Sequence, residues 1–168
     1  MALRTVNTTT PTSPDPAQGG AAVTGAAAAG HASTLTAQAG TGSTLKTCHW
    51  TGFPAVDGPR LSTVLKVDFS QDGALSDGGA LTSNQFTIEY STNGGGAWNS
   101  LRNATQIQAL TTGTDQVSLA VAQDPTQVQV RDAMTASAVV GESASVTAAV
   151  SNIRLEIALQ DGGIITLW

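Results

Sequence analysis

The residues whose side chains could most readily take part in catalysis or metal binding are the adjacent Cys48, His49 and Trp50. A thiol and an imidazole can act as nucleophile and base, or they can ligate a metal ion. Neighbouring side chains of a strand point to opposite faces, so in a strand Cys48 and His49 would not meet. A closed zinc site needs about four nitrogen or sulfur ligands, and with His31 the chain offers only three. We therefore predict that Cys48 and Trp50 face a core, that His49 faces solvent, and that no metal is bound.

Three aspartates, Asp68, Asp72 and Asp77, form the second candidate site, in the stretch DFSQDGALSDGG. Their spacing does not match an EF-hand loop, and no bidentate glutamate follows them. A looser calcium-binding loop between two strands remains an alternative. Because aspartate is common in turns, where its side chain bonds the local backbone, solvated turn residues are the prediction.

Enzymatic activity has little support in the sequence. The motifs of serine hydrolases, zinc proteases, P-loop proteins and dinucleotide-binding proteins are absent. A carboxylate pair for glycoside hydrolysis stays open as an alternative, but of the glutamates Glu89, Glu142 and Glu156, the first and last fall on polar faces of alternating stretches. Since no nucleophile can be matched with a base, we predict a non-enzymatic protein without catalytic residues or cofactors.

Residues 45–168 alternate between apolar and polar side chains with a period of two, which is typical of strands. Leu65, Val67 and Phe69, for example, alternate with Lys66 and Asp68. The same pattern occurs at 84–91, 115–123, 126–132 and 151–159, and more weakly at 45–50, 103–110 and 143–150. Glycine- and proline-rich turns separate these stretches. The pattern predicts an all-β fold, an antiparallel β-sandwich of jelly-roll or immunoglobulin/fibronectin-III-like type, with a helical turn only near 131–138.

Residues 1–44 differ in composition from the rest of the chain. They contain no aromatic residue, and their formal charge is zero because Arg4 balances Asp15. Prolines and glycines interrupt any regular element, and large apolar residues are too sparse to form a core. We therefore predict two regions, an extended low-complexity N-terminal arm at 1–44 and a β-sandwich domain at 45–168. An arm of this kind can order against neighbouring subunits, and a flexible linker is the alternative.

The stretch STNGGGAW, residues 91–98, follows an alternating strand. Asn93 and Gly94 predict a two-residue hairpin turn, because both residues adopt positive φ at low cost. The spacing of Ser91, Asn93, Gly95 and Trp98 resembles the Asp-box motif S-x-D-x-G-x-x-W, with asparagine replacing the aspartate. That motif has a structural role in the families that carry it, which implies a hairpin with Trp98 packed on the sheet. A glycan stacked on an exposed Trp98 is the functional alternative.

Charge and hydropathy exclude two classes of partner. The net charge is −5 over 168 residues, and the seven lysines and arginines are not clustered, which argues against nucleic acid. No apolar run approaches the roughly 20 residues that span a bilayer, so no membrane association is expected. The N-terminal residues also lack the apolar region of a secretory signal peptide.

A low-charge sandwich rich in alanine, glycine, serine and threonine, preceded by an arm, resembles virion accessory proteins of tailed bacteriophages. The resemblance implies a structural role in capsid decoration, a fibre, or a tail or neck component, assembled in the host cytoplasm with other virion proteins and copies of itself. The alternative is a carbohydrate-binding or host-adhesion module that binds a surface glycan. The residues predicted to contact a ligand or partner are Trp98, Trp50, Trp168 and, in the apolar C-terminal stretch IITLW, Ile164 and Ile165.

Overall fold

The computed structural model describes residues 31–37, 42–75, 84–107, 109–137, 144–160 and 163–167. Nine strands lie within these ranges, and every pairing between them is antiparallel. They are β1 (His31–Ala37), β2 (Gly42–Trp50), β3 (Arg60–Leu75), β4 (Gln85–Ser91), β5 (Asn99–Thr105), β6 (Thr111–Leu119), β7 (Gln129–Ser137), β8 (Ala144–Leu159) and β9 (Ile164–Leu167). No helix in the described ranges is long and apolar enough to cross a bilayer.

The strands form two sheets, which confirms the predicted antiparallel β-sandwich. One sheet has the order β1-β8-β3-β6 with β9 also paired to β8, and the other has the order β2-β7-β4-β5. The long strands β3 and β8 pair from Arg60 opposite Leu159 to Leu75 opposite Ala144. Because β3 occupies one edge of β8 along this whole length, β1 and β9 must share the other edge. They do so end to end, with β1 beside the first half of β8 and β9 beside the second half.

The core lies between the sheets and is built from the inward positions of the alternating strands. In β3 the alternate residues Leu65, Val67 and Phe69 are buried, and in the facing sheet Phe86 and Ile88 of β4 are fully buried. Each such side chain stabilises the fold by about 1.5–3 kcal/mol when it leaves water. The alternation seen in the sequence therefore reports which face of each strand is buried.

Two local predictions were wrong. The described part of the region predicted as a helical turn, residues 131–137, is instead strand, because β7 runs to Ser137 and pairs with strands on both sides. The strand predicted at 115–123 ends at Leu119. Asp124 then caps a 3₁₀ helix (Pro125–Gln127), accepting a hydrogen bond from the Thr126 backbone, and Val121 is left exposed.

The region predicted as an arm contains strand structure near its end. β1 and the first three residues of β2 fall within residues 1–44, and both strands pair with partners in the same chain. Residues 1–30 lie outside the described residues. The division of the chain between residues 44 and 45 therefore stays a prediction.

Gly73 of β3 lies where another segment crosses the strand closely. An ideal Cβ at this position would stand 2.0 Å from the backbone oxygen of Ile107, whose side chain is buried in the core. A backbone oxygen cannot rotate away as a flexible side chain can. Glycine is therefore required here by space rather than by backbone conformation.

We expect Gly73→Ala to destabilise the protein by about 1–3 kcal/mol, because the strand or the Ile107 segment must shift to admit the methyl group. Urea unfolding followed by circular dichroism measures the loss. Ser70→Ala, on the outer face of the same strand, is the control and should change stability by less than about 0.5 kcal/mol. Equal stabilities for the two variants would contradict the close approach.

Candidate functional site

The loop from residue 92 to residue 98 connects β4 to β5. Positive φ angles occur at Gly94 (69°) and Gly95 (91°), while Asn93 is not among the described residues with positive φ. The predicted two-residue turn centred on Asn93 and Gly94 is therefore wrong. The loop is longer, and the glycine requirement is shifted one residue along the chain.

The side chains of Ser91 and Asn93 form hydrogen bonds within this loop. The Ser91 hydroxyl donates to Oδ1 of Asn93 at 2.9 Å and accepts a hydrogen bond from the Gly95 backbone, also at 2.9 Å. The Ala97 backbone donates to the same Asn93 oxygen at 2.8 Å. One oxygen of Asn93 thus organises the loop, at the position where the Asp-box motif has a carboxylate oxygen.

A row of polar side chains crosses the outer face of the four-stranded sheet next to this loop. His49 of β2 lies opposite Arg131 of β7, and Arg131 lies opposite Glu89 of β4. The Arg131 Nε and Nη2 atoms each lie 2.6 Å from Oε2 of Glu89. The His49 Nε2 atom lies 2.8 Å from Oε1 of Gln129, two residues before Arg131 on the same face of β7.

Trp98 packs onto this row from the end of the loop. The guanidinium carbon of Arg131 lies 4.0 Å from the centroid of the Trp98 ring, which is a cation–π contact. The His49 ring meets the indole edge-on, with centroids 5.4 Å apart. We call His49, Glu89, Trp98, Gln129 and Arg131 the Trp98 face. It combines one aromatic ring with charged, amide and imidazole groups.

The residues predicted as ligand or partner contacts lie in different places. Trp98 is partly exposed on the Trp98 face, and Ile164 is exposed on the outer side of β9. Trp50 and Ile165 are buried in the core, at 1% and 5% exposure, and present no surface to a ligand in this arrangement. Trp168 lies outside the described residues.

The Cys48-His49-Trp50 triplet divides as a strand requires. Trp50 is buried in the core and His49 is on the outer face, as the alternation predicts. The Cys48 side chain is outside what the structure describes. The described residues include no group of three or more histidine, cysteine, aspartate or glutamate side chains placed to hold a metal ion.

Sequence reasoning did not single out Glu89, Gln129 and Arg131 as members of a site. Each occupies a polar position of an alternating strand, so their outward direction could be inferred. Their meeting depends on the order β2-β7-β4 and on the registers between these strands. Neither is encoded in a local pattern.

Asp68 belongs to an ion-pair cluster on the outer face of the other sheet and not to a loop. Its Oδ2 atom accepts from Nη1 of Arg154 at 2.7 Å and from Asn152 at 3.0 Å, and its Oδ1 atom accepts from Thr114 at 2.5 Å. Partial burial acts to raise the pKa of the Asp68 carboxyl. The three hydrogen bonds and the Arg154 charge outweigh burial, so this pKa lies below its ordinary value of 3.8.

The other two aspartates of the calcium alternative do not join Asp68. Asp72 lies within β3, where its Oδ1 atom accepts from the Gly73 backbone at 2.8 Å. Asp77 lies outside the described residues. Since Asp68 is already bonded to three side chains, the structure offers no support for a calcium loop here.

Another ion pair joins the two sheets at one side of the sandwich. Arg102 of β5 and Asp115 of β6 lie 3.0 Å apart, and the Arg102 guanidinium stacks on the Phe69 ring at 3.3 Å from its centroid. Burial raises the pKa of Asp115, and the positive charge of Arg102 only partly opposes it. This pair joins β5 to β6 and does not contribute to the Trp98 face.

No family model and no curated protein sequence matches the chain. Among solved structures, one described as "CBM4 structure and function" is 13% identical with a TM-score of 0.33, over 75% of this chain and 83% of that one. Carbohydrate-binding modules from the β-sandwich superfamily are 18% identical with a TM-score of 0.33, over 73% of this chain and 55% of that one. The structure of the infectious bursal disease virus Gx strain is 11% identical with a TM-score of 0.34, over 83% of this chain and 38% of that one. At TM-scores of this size, none of the three assigns a function.

We expect Asn93→Ala to destabilise the protein by about 1 kcal/mol, because two donors lose their shared acceptor. Asn93→Asp keeps an acceptor oxygen at the same place and should retain most of the stability. Asn99→Ala, at an exposed position of β5, is the matched control. Urea midpoints test the order of the variants, and an Asn93→Ala midpoint equal to that of the control would contradict the role of Asn93.

The lowered pKa of Asp68 predicts a pH dependence of stability. Its ionised form is favoured by folding, so its contribution is present above its ordinary pKa of 3.8 and is lost as pH falls through the lower folded value. We expect Asp68→Asn to cost about 1–2 kcal/mol near pH 7 and progressively less below pH 4. Thermal unfolding of both proteins between pH 2 and 7 measures the difference. A difference that does not change with pH would contradict the assignment.

Proposed function

We propose that this chain is a non-enzymatic structural protein of a virion, which assembles through its N-terminal residues and the adjacent C-terminal strand. The observation that carries the proposal is the shared edge of β8. His31, where β1 begins, lies opposite Val150, and Leu167 of β9 lies opposite Leu155. His31, the first described residue, therefore lies about 17 Å along β8 from the end of β9.

This arrangement places the junction between residues 1–30 and β1 near β9, so that one neighbour could contact both. A neighbour that binds residues 1–30 near their junction with β1 also lies close to β9. The β9 residue Ile164 is 45% exposed, on the outer side of its strand next to Ala158 of β8. Among the described strands β9 pairs only with β8, so its other edge is open to a strand of a neighbouring chain, and such a contact would cover Ile164.

The composition supports a virion as the assembly. Residues 1–30 are dominated by alanine, glycine, threonine and proline, which permit close approach of an extended backbone to a neighbouring sheet edge. The low charge and small-residue content of the whole chain resemble those of phage virion accessory proteins. The partners proposed are copies of this chain and other virion proteins, with assembly in the host cytoplasm.

We expect the full chain to form an oligomer of defined mass and a chain of residues 31–168 to be a folded monomer. The shorter chain keeps β1 and every other described strand, whereas removal of residues 1–44 would also remove β1 and part of β2. Light scattering gives the masses, and circular dichroism shows whether the shorter chain is folded. Monomers of both lengths at high concentration would contradict self-assembly.

Substitution of Ile164 separates the contribution of β9 from that of residues 1–30. Ile164→Thr keeps a β-branched side chain but removes apolar contact area. The dissociation constant of the oligomer should therefore rise about tenfold. Leu110→Thr is the matched control, since Leu110 is 69% exposed in the connection between β5 and β6. Equal effects of the two substitutions would place the contact elsewhere.

A further inference from the structure

The Trp98 indole is held in a fixed orientation with one face covered. The Arg131 guanidinium lies over one face at 4.0 Å, and Trp98 nevertheless remains partly exposed. The part of the indole that neither Arg131 nor His49 covers is the part that a ligand can contact. A flat aromatic surface that is already ordered can stack an apolar ring face at little further entropic cost.

Hydrogen-bonding groups surround this ring on the same outer face. Gln129 uses its Oε1 atom for His49, which leaves the Gln129 amide NH₂ without a partner among the described residues. The ion pair with Glu89 uses Nε and Nη2 of Arg131 and leaves Nη1 outside it. Planar amide, guanidinium and carboxylate groups offer paired donors and acceptors, which suit adjacent hydroxyl groups of a ligand.

Gly95 of the loop leaves Gln129 and the rim of the Trp98 ring accessible because it has no side chain. A Cβ at Gly95 would lie 2.8 Å from Oε1 of Gln129 and 3.7 Å from the ζ2 carbon of Trp98. A side chain there would displace the amide and stand beside the indole. The positive φ of Gly95 already favours glycine, and the lack of a side chain also leaves the rim of Trp98 accessible.

Charge indicates what kind of ligand fits. Glu89 neutralises Arg131 within the Trp98 face, and the whole chain carries a net charge of −5. An anionic ligand would find no excess positive charge at this site and would be repelled at longer range. A neutral molecule with an apolar ring face and a rim of hydroxyl groups matches the ring and its polar neighbours.

We propose that the Trp98 face binds a neutral oligosaccharide, with a sugar ring stacked on the exposed side of Trp98 and its hydroxyls bonded to Gln129, Arg131 and Glu89. The site lies on the outer face of the β2-β7-β4-β5 sheet, whereas the proposed assembly contact lies on the β8 edge of the other sheet. The two surfaces can therefore be occupied together. The glycan site does not depend on the proposed structural function.

The test is titration of the full chain with neutral cello-, xylo-, manno- and maltohexaose, and with hexagalacturonate as the anionic comparison. Tryptophan fluorescence and calorimetry report binding. We expect at least one neutral hexamer to bind measurably, and hexagalacturonate not to bind. Trp98→Ala and Gln129→Ala should each weaken that binding by at least about tenfold.

Gln85→Ala is the matched control. Gln85 lies on the outer face of β4, four residues from Glu89, where its amide bonds Asn103 at 2.6 Å. It should bind as the parent does. If Trp98→Ala fails to fold, Gln129→Ala and Glu89→Gln decide the matter. Three results would each overturn the proposal: no binding of any neutral hexamer, preference for hexagalacturonate, or equal binding by Gln129→Ala and Gln85→Ala. None of these results would alter the masses measured by light scattering, which test the proposed assembly.

Discussion

The pairing of β8 with β3 is the constraint on which the rest of the structure depends. The two strands are 16 residues long, and their register aligns the buried residues of both on one face. Because β3 takes one edge of β8 completely, the first strand and the last strand of the described chain can join β8 only on its other edge. This single pairing therefore fixes the core of the larger sheet and brings distant parts of the chain together.

The molecule presents two separate surfaces on its two sheets. One is the β8 edge, with β1, β9 and the exposed Ile164. The other is the Trp98 face on the opposite sheet, held by the Asn93-centred loop and by the ion pair between Arg131 and Glu89. The core holds the β8 edge and the Trp98 face on different sheets, and we propose the first for assembly and the second for ligand binding.

The sequence predicts the fold class because period-two alternation depends on which face of each strand is buried, and burial dominates stability. It also places His49 outward and Trp50 inward. It does not predict that Arg131 meets Glu89 and Trp98, since that depends on strand order and register between distant segments. The wrong turn at Asn93 has a local cause. Asn93 supplies a side-chain oxygen to Ser91 and Ala97, so the positive φ moves to the glycines that follow.

Hydrogen–deuterium exchange of the full chain, compared between concentrated and dilute protein, tests directly whether the chain assembles at the shared edge of β8. Assembly at this edge predicts slower exchange on association in residues 1–30 and in β9, with exchange in the loop at 92–98 unchanged. Protection confined to the loop at 92–98, or no concentration dependence in residues 1–30 and β9, would contradict it.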